Sequence, residues 1–124
     1  MLNRILVKTF VAGAALNPNQ LVKYGVDDNT VIPAAAAADS IIGSTGAIGA
    51  DLGDRIDVTL IGVEEVSYGG NVTRGDLVTS DANGAVVTAA PVAAANARIA
   101  GIAMVSGVAG DIGSVLIKPG SMQG

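Results

Sequence analysis

The stretch FVAGAALNPNQLVKYGVDDNTVIPAAAAA (Phe10–Ala38) lies over VSYGGNVTRGDLVTSDANGAVVTAAPVAA (Val66–Ala94) without a gap. Gly13 falls on Gly69, Leu21-Val22 on Leu77-Val78, and Val31 on Val87. Chemical classes agree too: Leu16 faces Val72, Gln20 faces Asp76, and Asp27-Asp28 faces Asn83-Gly84. With small changes of length the overlay runs on. Ile41-Ile42-Gly43 meets Ile99-Ala100-Gly101, and Gly53-Asp54 with Val58 meets Gly110-Asp111 with Val115. A repeat constrains a fold because each copy must form the same supersecondary unit. The overlay predicts a single β domain over residues 1–124, built from repeat halves 5–60 and 61–118. The N-terminal MLNRILVKTFVAGAALNP imitates a secretory leader. Phe10–Val22 mirrors an internal part of the second half, however, so it is expected to belong to the fold.

Local patterns say what the repeated unit is made of. In RIDVTLIGVEEV (Arg55–Val66), Ile56, Val58 and Leu60 alternate with Arg55, Asp57 and Thr59. That period of two is a strand with one face buried. The alternation then slips, and Gly62 is the expected site of a bulge. RILVKTFV and SVLIK read as further strands. DDNT separates Leu21-Val22 from Val31-Ile32, and DANG separates Leu77-Val78-Thr79 from Val86-Val87-Thr88, so two hairpins are predicted. Asn83-Gly84 suits a two-residue loop with both residues at positive φ. Pro33–Ser40 and Ala90–Ala97 are alanine-rich but too short to hold an isolated helix. Each is expected to be one or two helical turns or an irregular link. The fold class is therefore all-β: a small barrel or sandwich of short strands with Gly-rich turns.

Composition removes whole classes of chemistry. The 124 residues include no histidine and no cysteine. Disulfides, thiolate nucleophiles, imidazole acid/base groups and Cys/His metal sites are excluded. Eleven acidic residues stand against seven basic ones, a net charge of −4, and aromatics make up 2%. A nucleic-acid binder needs a basic stripe, and a single-strand binder also needs stacking platforms, so direct DNA or RNA binding is not expected. Asp39 interrupts the alanine run, and Ile99–Gly110 is too short for a spanning helix, so no membrane segment is predicted. Hydrophobic residues reach 50%, carried by Ala, Val and Ile. Either part of the surface is buried against other subunits, or alanine raises the fraction without making a sticky patch.

Four stretches invite a functional reading, and each has a plainer one. Arg74-Gly75-Asp76 matches an integrin-ligand tripeptide, but its counterpart Pro18-Asn19-Gln20 lacks it, and Gly and Asp are ordinary turn residues. Asp81–Gly84 has the rhythm of a cation loop, yet no acidic residue follows until Asp111 to supply the distal ligand. GSTGAIG (Gly43–Gly49) and GVAGDIG (Gly107–Gly113) resemble phosphate-cradling loops, but no lysine lies nearby and no helix is predicted after them. Glu64-Glu65 is a carboxylate pair on a strand, so its members point to opposite faces. A solvated or interface position is expected for it. Lys8, Lys23 and Lys118 do not fall at predicted hairpin tips, which argues against a lipoyl-type carrier arm. No catalytic, cofactor-binding or metal-binding residue is assigned, and no cofactor is expected.

Three segments together resemble a known family: NRILVKTFVAGAAL near the start, GDRIDVTLIGVEEVSYGGNVTRGDLVTSDANG in the middle and IAGIAMVSGVAGDIGSVLIKPG at the end. The chain is similar to the small capsid cement, or head decoration, proteins of tailed bacteriophages (DUF2190-like). The resemblance implies a non-enzymatic virion protein, made in the host bacterial cytoplasm, that binds the major capsid protein on the outer capsid surface and stabilises the shell. It implies self-association as a homotrimer, with a homodimer as the alternative. Two other classes remain: another β-structured virion component, such as a tail or fibre base, and a small-molecule binding or carrier domain.

Overall fold

The computed structural model describes residues 2–124. Nine strands succeed one another: β1 (Asn3–Ala12), β2 (Leu21–Tyr24), β3 (Thr30–Pro33), β4 (Ile41–Ser44), β5 (Arg55–Ser67), β6 (Leu77–Ser80), β7 (Val86–Thr88), β8 (Asn96–Ala103) and β9 (Ile112–Gln123). No helix forms among the described residues. The fold is all-β, and of the two predicted forms it is the barrel. The alanine run after β3 closes as a turn because Asp39 reaches back over it. Its Oδ2 accepts the Ala35 N–H at 2.8 Å and a Lys23 Nζ hydrogen at 2.9 Å. A side chain that bonds the backbone locally in this way competes with helix.

The sheet order is β1-β3-β2-β4-β5-β9-β8-β6-β7, and β1 also pairs with β5. Strands β1 to β5 thus close on themselves into a five-stranded ring, which leaves no free edge. β5 is long enough to serve twice. Its first part pairs with β1, from Val11↔Arg55 onwards. From Gly62↔Ile117 to Ser67↔Ile112 it pairs with β9. The remaining strands curl back, and a parallel bridge between Tyr68 and Val86 closes a second ring. Ala12 and Val31 form the corresponding parallel pair in the first ring.

Backbone hydrogen bonds follow one scheme in both rings. In the first, Ala12, Gly13 and Leu16 donate to Asp54, Val31 and Ala50. In the second, Tyr68, Gly69 and Val72 donate to Asp111, Val86 and Gly107. This places Val31 opposite Val86, one residue before the Val87 of the ungapped overlay. The reason is loop length: Tyr24 pairs with Val31 across residues 25–30, whereas Ser80 pairs with Val86 across the shorter 81–85.

Gly62 sits at a bulge, as its place in the pattern predicts. Arg4 pairs with Gly62, Leu6 with Ile61 and Val7 with Thr59, so Ile5 on β1 and Leu60 on β5 are left unmatched. Gly62 has φ 131°, and a Cβ there would run into the backbone of Asn3 and Ile5. Non-Gly residues rarely tolerate either condition.

Each ring has its own apolar filling. Phe10, Ala12, Leu16, Val22, Val31, Ile56 and Val58 fill the first. Val66, Tyr68, Val72, Val78, Val86, Val115 and Ile117 fill the second, joined by Leu21, Ala34 and Ile41 from the first half. Large and small residues trade places between them. Tyr68 stands where the first ring has Ala12. Its ring occupies the space that a Cβ on Gly113 or Gly107 would need, where the first ring has Ile56 and Ala50. Phe10 is the first ring's large residue, and Val66 stands in its place in the second. The swap keeps both cores filled, as interiors packed to crystal density require.

Candidate functional site

β5 turns Glu64 and Glu65 to opposite faces, but Glu64 does not reach solvent. Its side chain is 1% exposed. The expected solvated or interface position is corrected for this residue. The bulge brings Arg4 over the carboxylate, and Arg4 Nε donates to Oε2 at 2.7 Å. Thr59 Oγ1 donates to the same oxygen at 2.9 Å, and the Glu65 N–H donates to Oε1 at 3.1 Å. A buried carboxylate is tolerable because its oxygens are satisfied in this way. The hydrogen bond from Arg4, followed by the Glu64 charge, raises the guanidinium above its ordinary pKa. The pair pins β1 to β5.

Beside this pair, an open cavity of about 470 Å³ lies between β1, the start of β5 and the loop after β4, with Arg4, Val7, Thr45, Ile48, Arg55 and Asp57 on its walls. Asp57 accepts from Thr9 Oγ1 at 2.7 Å. The cavity walls combine Arg4, already paired with Glu64, and Arg55 with the Asp57 carboxylate and an apolar rim.

Asp81–Gly84 is a turn whose carboxylate is committed. Asp81 Oδ1 accepts the Asn83 and Ala85 N–H groups at 2.8 and 2.9 Å. Gly84 alone of the Asn-Gly pair has positive φ, at 73°. The expected two-residue loop is replaced by a wider one, because the Asp81 carboxylate caps the turn and its N–H bonds the Ala85 carbonyl. The outer carbonyls then face the first ring. Gln20 Nε2 donates to Asn83 O at 2.8 Å, and the Leu21 N–H donates to Gly84 O at 2.8 Å. This turn docks the second ring onto the first, a role the sequence reading missed. The signal was present: Asn83-Gly84 is uncharged where its counterpart carries two aspartates.

Arg74-Gly75-Asp76 is also a turn. Gly75 has φ 93°, matching Asn19 at 56° in the first half. Asp76 Oδ2 accepts the Thr73 N–H at 2.9 Å and the Thr88 hydroxyl at 3.0 Å. The Arg74 guanidinium has no partner among the described residues.

The two Gly-rich stretches link β4 to β5 and β8 to β9, and neither opens a helix, so no helix N-terminus is available to hold a phosphate. Lys8 lies 4.9 Å from the Phe10 ring centre, Lys23 pairs with Asp39, and Lys118 lies within β9. Among the described residues no group of three or more His, Cys, Asp or Glu could hold a metal ion, and no helix is long and apolar enough to cross a membrane.

These features define a small β-barrel module whose polar groups mostly hold turns and rings together. The same fold is found in the crystal structure of the head fiber gp8.5 N base in bacteriophage phi29, with a TM-score of 0.66 over 95% of each chain. Identity is 18%, so the likeness is one of fold. No family model and no curated protein matches the chain.

Proposed function

We propose that this chain is a non-enzymatic structural protein of a tailed-phage virion, seated on the outer surface of the head as a decoration protein. The observation that carries the reading is the fold shared, nearly end to end, with a protein named as the base of a head fibre. The three cement-like segments of the sequence point the same way. Its partners in this reading are the major capsid protein and further copies of itself, as a homotrimer or, alternatively, a homodimer. Many copies on a regular shell gain avidity, so each contact can be modest. An acidic body does not compete for packaged DNA.

A second reading is favoured by the same neighbour: the module is the base from which a fibre projects. One experiment separates the two. Purified protein is mixed with heads lacking it, the heads are sedimented, and bound copies per shell are counted. Saturation at many copies, matching the lattice, is the expected result for decoration. Saturation at a few sites supports the fibre base. Failure to co-sediment overturns both.

A further inference from the structure

The contact that docks the second ring on the first has an empty counterpart. Within the chain, the tip 81–85 seats on the corner Asn17–Leu21 through the bonds to Asn83 and Gly84 carbonyls. Leu21 beneath it is 0% exposed. The second half contains the same corner at Thr73–Leu77. The Thr73 N–H is held by the Asp76 carboxylate as the Asn17 N–H is held by the Gln20 side chain. Gly75 repeats the positive φ of Asn19. Yet Leu77, in the place of Leu21, is 40% exposed. Among the described residues no turn seats on it as the 81–85 tip seats on Leu21.

The first half likewise has a tip with nowhere to go. Gly25–Asn29 joins β2 to β3, and Val26 at its summit is 95% exposed. Asp28 has no partner among the described residues. The tip is held in shape: Asn29 O accepts the Val11 N–H at 2.8 Å, and Asp27 Oδ1 accepts the Asn29 N–H at 3.0 Å and the Thr30 hydroxyl at 2.7 Å. A pre-shaped tip loses little freedom on binding.

Charge distinguishes the free pair from the filled one. The seated tip carries Asn83-Gly84 and meets Pro18, whereas the free tip carries Asp27-Asp28 and the free corner carries Arg74. We propose that the Gly25–Asn29 tip of one copy seats on the Thr73–Leu77 corner of a second copy, with Asp28 facing Arg74 and Val26 covering Leu77. Tip and corner are different patches of one chain, so the contact is either made twice between two copies or passed from copy to copy until a ring closes. In a trimer it would alternate with the internal contact around a ring of barrels. This inference rests on the self-association in the reading above and not on head binding.

Sedimentation velocity of the full chain in solution, without heads, tests it. D28R and R74D are each expected to raise the dissociation constant about tenfold or more, the scale of a lost interfacial charge pair. Val26→Ser is expected to act in the same direction. The D28R/R74D double reversal restores association. All of these positions are exposed, and circular dichroism checks that the fold is kept. Single reversals without effect, a double that fails to recover, or a wild-type chain that is monomeric at about 100 μM, where a micromolar interface would be saturated, overturn the contact. A chain that coats heads yet stays monomeric in solution overturns this contact and leaves decoration standing. Association through this contact without head binding does the reverse.

Discussion

At Gly113, the missing side chain is what admits Tyr68. The phenol ring fills the space beside that Cα, and its hydroxyl donates to Val105 O at 2.7 Å. Burial raises the Tyr68 pKa, with the Asp111 charge adding to the effect. Gly113→Ala would press a methyl into a ring that is buried and bonded at its far end. We expect a loss of about 1–3 kcal/mol, the usual cost of overpacking. A urea melt checks it: the midpoint falls and the slope is unchanged, because the surface exposed on unfolding stays the same. Little of this was legible beforehand. Gly113 sits in a Gly-rich stretch that looks like a connector, and no local pattern ties it to a tyrosine far along the chain. Glu64 was misread for a similar reason. Alternation gives its face, but burial depends on Arg4, which reaches it across a bulge.

The element best predicted from sequence is β5: Ile56 and Val58 are buried as alternation requires, and Gly62 lies beside the bulge. The slip falls at Leu60, however, so Thr59 is buried where the pattern made it wet. The hairpins were legible as well, because Leu-Val and Val-Val runs flank residues that turn. Ring closure was not, since the pairing of β1 with β5 is set by packing over a long separation. The link between β3 and β4 shows how one carboxylate decides an element. Asp39 holds Ala35 and Lys23 together, and its pKa lies below the ordinary 3.8, chiefly through the hydrogen bond from Lys23. The folded state therefore binds this proton less readily than the unfolded chain does. The stabilisation is complete above about pH 4 and is lost as pH falls through the lowered folded value. Thermal melts from about pH 6 to pH 2 should show stability dropping at the acid end, and the drop should be shallower in Asp39→Asn. Asp27, lowered chiefly by the Thr30 hydroxyl, contributes with the same sign in both proteins.

For the molecule as a whole, the sharing of β5 ties the two rings together, and the complete chain is expected to unfold as one unit. Neither ring closes without β5, and Leu21, Ala34 and Ile41 carry the first half into the second core. Two tyrosines report on the rings separately. Tyr24 lies edge-on to Phe10 at 5.9 Å in the first, and Tyr68 is buried in the second. In Tyr24→Phe and Tyr68→Phe, the remaining tyrosine's fluorescence should follow an unfolding transition that coincides with the far-UV transition of the same variant. Separate midpoints within one variant would show the rings melting independently. Sharing β5 also sets an order of events during synthesis. All strands of the first ring precede Tyr68, so that ring can close while the rest of the chain is still being made. At roughly 5–20 residues per second, the remainder takes several seconds to emerge. Throughout that interval Leu21, Ala34 and Ile41 stand uncovered on a half-built protein, awaiting strands that the ribosome has yet to deliver.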